Sequence, residues 1–569
     1  MGVFDYKGMK GDPAKALLSN ALALSEYAYD STGQPLATGG WAPIGAQALG
    51  VTQHVDKQGT FWGETALAPS ANVEILGQYD GLGRLIAMGI AFRGTSFGLT
   101  WDGAGDVASD LAAAALPGYA ANYAKFAFSA LLENVARYAA SQGLSGKDIL
   151  VTGHSLGALG ANSLATLSHD HWGGFYQDAN YVTFASPAQR SGDTPVLNIG
   201  YENDPVFKAI DGKGINTSAL FWGNDRGWDA AANNLVSFTD NYASFSAHLP
   251  NSLNWGVAKA HSLDGYIQGL GRIASSEFYD LTSKDSTIVV SSLTEAARET
   301  TWVQDLNRYA EKHTGNTFIL GTEGNDLLKG GVGNDFLEGG AGHDRFRDDG
   351  GYNILLGGQG DNVFELHKPL ASFGFANDGD GTLYINDAYG GISMTRDIGA
   401  LVSQEQSYIM WNSIPWGTHD VTYNVTGQGL LAGTALTPYT ASANGDAQDN
   451  VLTAHAAGEW LFGLGGDDHL IGGQGNNVFV GGAGNDLMVS GGGSNTFLFN
   501  GLFGNDRVEG YQASDKLVFM GIPDLGQQYD YRSHVSMFED NALLSFGDNS
   551  VTLVGVNMTQ LNGAGIYIS

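Results

Sequence analysis

The chain has 569 residues, with 27 Lys and Arg against 59 Asp and Glu, a formal net charge of −32, 83 glycines and no cysteine. Such a length exceeds what one core holds, so at least two domains are expected. The acidity excludes nucleic acid and anionic headgroups as partners and makes cations the natural ones, while the lack of cysteine excludes a disulfide frame and thiolate metal sites.

The first residues, MGVFDYKGMKGDPAKALLSNALALSEYAYD, lack a basic region followed by an unbroken apolar core, so no cleaved signal peptide is expected. No apolar run reaches the roughly 18 residues of a membrane span, and a soluble protein is expected. Helix-like and strand-like stretches then alternate. AKALLSNALALSEYAY and NYAKFAFSALLENVARYAASQG have helical patterning, whereas RLIAMGIAFRG and DILVTG resemble strands. Alternation of this kind predicts an α/β domain over residues 1–320, a mostly parallel sheet covered on both faces.

After residue 320 the pattern changes to a nine-residue period. GTEGNDLLK begins at Gly321, GGVGNDFLE at Gly330, GGAGHDRFR at Gly339, DDGGYNILL at Asp348 and GGQGDNVFE at Gly357. A second array keeps one frame from Gly445 to Leu498. Place six carries Asp326, Asp335, Asp344, Asn353 and Asn362, then Asn450, Glu459, Asp468, Asn477, Asp486 and Asn495; place eight is Leu, Phe or Met. Glycines permit the tight turn, the acids supply hard oxygen and the apolar residue turns inward. The expectation is a calcium-binding parallel β-roll over 321–569, with repeats at 321–365 and 445–498 and flanking sheet between them. Asp326, Asp335, Asp344, Asp468 and Asp486 are its candidate ligands. Stacked carboxylates repel until a divalent cation arrives, so this half should be poorly folded at low calcium and assemble at millimolar calcium.

The first half holds two G-x-S-x-G patterns, GHSLG around Ser155 and GTSFG around Ser96; in so glycine-rich a chain about one is expected by chance. Ser155 has a buried strand before it and a helix after it, the sharp turn that an attacking serine needs; Ser96 is followed by a loop. In chain order an acid and a histidine should follow. Asp204, at the end of VLNIGYENDPVF, is favoured over Glu202, while His248 and His261 remain open on spacing alone.

GHSLG, YENDPVF, FYDLTSKDSTI and WVQDLNR, followed by nonapeptide repeats, resemble the bacterial family I.3 lipases, some of which are described as polyurethanases. The resemblance spans essentially the whole chain. It implies an α/β-hydrolase domain with the triad Ser155, Asp204 and His261. It also implies an oxyanion hole from the Leu156 N–H and a backbone N–H near Gly94 or Thr95, and a lid around 98–120. The lid is expected to be held open by calcium through Asp106 and Asp110, and a second calcium would fall on Asp225, Asn233 and Asn234, where Asn233 replaces an acid. Also implied are several calcium ions in all, a lipid or other ester substrate at an oil–water interface, a monomer, and secretion through a type I apparatus directed by SVTLVGVNMTQLNGAGIYIS. Region 31–51 is short for a first lid, which favours tolerance of bulky esters. Two further readings are a polyester or polyurethane esterase of the same fold and a non-enzymatic calcium-binding surface protein. A zinc protease is set aside because no H-E-x-x-H occurs.

Overall fold

A computed structural model describes residues 2–569 apart from 31, 66, 67, 69, 95–115, 117, 190–195, 205, 208, 210–229, 241, 243–258, 308–312, 314, 388, 389, 410–413, 524, 526–529 and 562–564. The chain divides into two compact units, one of residues 3–275 with 307–313, the other of 1–2, 276–306 and 314–569. The division falls earlier than the change of sequence pattern at 320. Thr317–Leu320 pairs in parallel with both Thr287–Ser291 and Asp335–Glu338, so the repeat ladder is already under way before the first glycine-rich turn.

In the first unit, strands β1 (Asn72–Tyr79) and β2 (Leu85–Arg93) are antiparallel. From β2 the sheet continues in parallel through β3 (Ile149–His154), β4 (Asn180–Phe184), β5 (Leu197–Tyr201) and β6 (Ala230–Phe238). The helices that bear on the site are α1 (Asp12–Tyr29), α2 (Tyr119–Ser141), α3 (Leu156–Leu167) and α4 (Leu263–Ser275). Helix α1 starts with Pro13 in its first turn, where a missing N–H costs nothing, and with Asp12 against the positive end of the helix dipole. Successive residues of β3 face opposite ways. Ile149 and Val151 join a core with Leu159 and Leu164 of α3 and Phe128 and Leu132 of α2, whereas Thr152 reaches Ser25 of α1 at 2.9 Å. Both faces of β3 are therefore covered, and every residue in it is buried. The expected α/β arrangement holds; β1 was not anticipated from the sequence.

The second unit is a roll of short parallel strands. Strands eighteen residues apart, two repeats, lie side by side: Phe318 beside Phe336, Leu328 beside Phe346, Phe346 beside Phe364, and Phe479 beside Phe497. Alternate repeats thus feed two facing sheets. The place-eight residues Leu328, Leu337, Phe346, Leu355, Leu461, Leu470, Phe479, Met488 and Phe497 are all buried between them, as the periodicity requires. Between the arrays the chain forms flanking antiparallel sheet, including the long hairpin of Ala400–Ile409 and Ile414–Thr426. A second apolar cluster joins Tyr352 of the first array and Tyr384 and Met394 of the flanking sheet to Trp460, Phe462 and Val480 of the second array.

The rings of Phe479 and Phe497 stack 4.7 Å apart in the roll core. Truncating Phe479 to Ala should lower the urea stability of the calcium-loaded roll by about 3–5 kcal/mol; an unchanged unfolding midpoint would contradict this register.

Candidate active site

Ser155 occupies the junction of β3 and α3 with φ 58° and ψ −126°, a left-handed conformation that a serine adopts only when its surroundings impose it. Close approach makes the turn possible. A methyl group on Gly157 would lie 2.1 Å from the carbonyl oxygen of Phe92 in β2, so only glycine lets the first turn of α3 cross the sheet edge here. The Ser155 N–H donates to the Phe184 carbonyl of β4 at 3.0 Å, tying the bend to the sheet. As the first residue of α3, Leu156 has no intrahelical acceptor for its N–H, which stands at the positive end of the helix.

His261, two residues before α4, places Nε2 3.0 Å from Ser155 Oγ. Its Nδ1 lies 3.0 and 3.1 Å from the two carboxylate oxygens of Asp204, in the turn after β5. Asp204 and His261 are fully buried and Ser155 nearly so. The Asp204 carboxylate is held from three further sides: by the Val206 N–H at 2.8 Å and the Phe207 N–H at 3.4 Å on Oδ1, and by the Tyr266 hydroxyl at 2.8 Å on Oδ2. Tyr266 in turn accepts the Tyr201 N–H at 3.1 Å. Burial, with the neighbouring Asp204 charge adding to it, pushes the Tyr266 phenol well up, so it remains a donor. The arrangement sets a hydroxyl, an imidazole and a carboxylate in a hydrogen-bonded row, a geometry that acyl transfer can use.

The rival acid, Glu202, turns elsewhere: its Oε1 lies 2.8 Å from His313 Nε2 in a buried pair. Of the two histidines left open by spacing, His261 is the one beside Ser155; His248 lies outside the described residues. So do Thr95, Ser96, Asp106, Asp110, Asp225 and nearly all of the expected lid. Asn234 is buried on β6, and the side chain of Asn233 is not described. Gly94 lies against the nucleophile: a methyl on it would be 3.1 Å from Ser155 Cβ and 2.3 Å from the Tyr29 hydroxyl.

Besides Tyr266, two residues near Ser155 and His261 escaped sequence reasoning, His154 and Tyr29. His154 precedes the nucleophile, and its Nε2 is 2.8 Å from the His261 carbonyl while its Nδ1 is 3.0 Å from the Tyr29 hydroxyl. A carbonyl only accepts, so Nε2 carries the proton and Nδ1 accepts from Tyr29. The tyrosine oxygen is also bonded to the Gly94 backbone. Burial, and the nearby His261, hold the His154 imidazole well below its ordinary range, so it stays neutral and in this tautomer. A hydrogen-bonded chain therefore runs from the edge of β2 through Tyr29 and His154 to the main chain of His261. The only sequence signal was the His in GHSLG.

In the roll, the place-six side chains form ladders. The Asp326 N–H donates to Asp344 Oδ1 at 2.8 Å, Asp344 N–H to Asn362 Oδ1 at 2.9 Å, Asn450 N–H to Asp468 Oδ1 at 2.7 Å and Asp468 N–H to Asp486 Oδ1 at 2.8 Å. The ladder continues past the last regular repeat, by steps of twenty residues, from Asp486 to Asp506 and from Asn495 to Asp515. A two-residue insertion hid these from the nine-residue frame. The Oδ2 atoms of Asp468, Asp486 and Asp506 are buried with no hydrogen-bond partner among the described residues. Burial, with neighbouring carboxylates adding to it, pushes Asp486 up to about 7 and Asp506 to about 9. Asp335, also mainly through burial, rises to about 6, its Oδ2 accepting the Gly331 N–H. Asp326 has its oxygens engaged by Ser291 and Thr322. Orphaned carboxylate oxygens in rows fit a hard divalent cation, and no group of three or more Asp, Glu, His or Cys forms a conventional cage among the described residues.

The parallel-sheet domain with a serine at its strand-to-helix bend, joined to a nonapeptide roll, defines an α/β-hydrolase carrying RTX repeats. Comparison with known proteins agrees. The RTX calcium-binding nonapeptide repeat family matches residues 313–346, 338–366 and 462–497. A lipase of Pseudomonas fluorescens is 45% identical over 377 residues, covering 57% of this chain and 79% of the relative. A second lipase of that organism is 41% identical over 377 residues, covering 57% and 84%. The crystal structure of the extracellular lipase LipA from Serratia marcescens superposes with a TM-score of 0.91 at 42% identity, covering all of both chains. The chain belongs to the RTX-type bacterial lipases; it is a lipase with calcium-binding repeats.

Two outcomes test these sites. Tyr29→Phe removes the donor to His154 Nδ1 and should lower kcat about tenfold with little change in KM, the loss of one buried hydrogen bond; unaltered kcat would separate Tyr29 from the triad. The folded roll binds more protons than the unfolded chain between about pH 4 and 9, because its carboxyls are raised, so in chelator the strand content read by circular dichroism should grow as pH falls and shrink as pH rises. Millimolar calcium should flatten that dependence, and a strand content that grows with pH in chelator would refute the assignment.

Proposed function

We propose that this lipase is a secreted, calcium-dependent serine ester hydrolase acting on triacylglycerols and other carboxylic esters. The observation that carries the reading is the hydrogen bond between His261 Nε2 and Ser155 Oγ, with Asp204 on the opposite nitrogen. Ser155 Oγ attacks the ester carbonyl carbon while His261 Nε2 takes its proton; Asp204 orients the imidazole and stabilises the imidazolium. The oxyanion that develops is met by the Leu156 N–H and by a second backbone donor; of the two expected, Gly94 and Thr95, the Gly94 N–H is engaged by the Tyr29 oxygen, which favours Thr95. The alcohol leaves with the proton from His261, which then removes a proton from water as that water attacks the acyl-enzyme. The carboxylic acid departs and Ser155 is restored.

Neutral esters suit an acidic protein, because a surface of this charge is repelled by anionic membranes but not by oil. A lid at 98–120, with Asp106 and Asp110 binding calcium, is part of this reading, as is a monomer exported by a type I apparatus. Calcium, when bound, neutralises the roll carboxylates, and Asp326, Asp335, Asp344, Asp468 and Asp486 are the residues that would hold it there. Export before folding agrees with a roll that needs calcium to close and with a chain lacking cysteine.

Ser155→Ala should lower hydrolysis of a triglyceride emulsion by about 10⁴-fold or more, and Asp204→Asn by about 10⁴-fold, with calcium present and both proteins folded. Hydrolysis by Ser155→Ala at the wild-type rate would dispose of the mechanism.

A further inference from the structure

The fourth repeat of the first array, Asp348–Leu356, departs from the pattern twice: place six is the neutral Asn353, and place one is Asp348 where the repeat carries glycine. The two departures meet in space. Asn353 Nδ2 donates to Asp348 Oδ2, and Asn353 Oδ1 accepts the Asp335 N–H at 2.8 Å, so the amide takes its ordinary rung in the ladder while holding the displaced carboxylate. Asp348 is only 5% exposed, and its Oδ1 has no hydrogen-bond partner among the described residues.

Where that oxygen points is the informative fact. At Gly321, Gly339, Gly445 and Gly463 the face of the place-one glycine looks at the main-chain carbonyl of the place-one residue eighteen positions on: a methyl on Gly321 would be 2.4 Å from the Gly339 oxygen, one on Gly339 2.6 Å from that of Gly357, and one on Gly463 2.4 Å from that of Gly481. At Gly330 the nearest atoms are carboxylate oxygens instead. A methyl there would lie 3.0 Å from Asp348 Oδ1 and 2.9 Å from Asp335 Oδ2, so two carboxylate oxygens converge where the other turns present a carboxylate and a carbonyl. Asp349, by contrast, is spent on Lys329 at 2.9 Å.

We propose that the turns 330–335 and 348–353 bind a calcium ion through Asp335 and Asp348, the place-one carboxylate substituting for the acid missing from place six. The proposal rests on the calcium-binding reading of the repeats. Two carboxylates restore the double negative charge found where Asp468 faces Asp486, and an oxygen-only donor set selects a hard cation. The repeat at 348 is therefore a functional turn rather than a degenerate one.

Calcium titration of the full-length protein by calorimetry, with circular dichroism following assembly of the roll, tests this. Asp348→Asn keeps the shape and an acceptor for Asn353 but removes the charge. It should bind one ion fewer than wild type, or bind one ion at least about tenfold more weakly, and need more calcium to assemble. Asp348→Gly/Asn353→Asp, which recreates the regular repeat, should recover the wild-type number of ions. Equal stoichiometry and affinity in wild type and Asp348→Asn would overturn the proposal, and so would a well-folded double variant that fails to regain the ion. Wild type that takes up no calcium at all would instead bring down the underlying reading of the roll.

Discussion

The catalytic half depends on one strained residue. Ser155 sits at φ 58° because the first turn of α3 must pass within van der Waals contact of β2, and because its own N–H is bound to the Phe184 carbonyl. That bend directs Oγ toward His261 and leaves the first amide of α3 free to meet negative charge. A non-glycine left-handed conformation costs on the order of 1–3 kcal/mol, and the fully buried β3 with helices on both faces supplies the rigidity that holds it.

Around this bend, polar groups are paired by geometry that leaves little choice of proton position. Asp204 is bound by two main-chain amides and a phenol, and His154 links the main chain of His261 to Tyr29. Such networks are stable in a buried site only when each member is satisfied. They also explain why Glu202, two residues from Asp204, is not interchangeable with it: its carboxylate is already committed to His313.

Much of this was legible in the sequence, and the reasons are physical. Nine-residue spacing fixed which side chains point inward, and each regular place-eight residue from Leu461 to Phe497 is buried. Strand–GHSLG–helix identified Ser155 because a buried strand must end at the sheet edge. Asp204 over Glu202 followed from its place in the turn, but His261 over His248 needed the family resemblance, since contacts across more than a hundred residues leave no local pattern. Tyr29 and His313 were invisible for the same reason, and Tyr266 meets Asp204 across 62 residues, equally beyond any local pattern. Asp506 and Asp515 were missed because a two-residue insertion shifts them out of frame while leaving the ladder intact.

The ladder has a direction. From Asp326 to Asp344 and from Asn450 to Asn495, the place-six amide proton is given to the side chain one full coil further along, so a turn that has closed presents its neighbour with a ready acceptor and a fixed row of oxygens. Coils that contact only adjacent coils behave as a one-dimensional chain with strong nearest-neighbour coupling. Assembly of such a chain is nucleated and zipper-like, its response to rising calcium is steeper than that of independent sites, and partly wound forms stay scarce. Coupling of this kind makes the coils answer a bound ion together rather than one at a time.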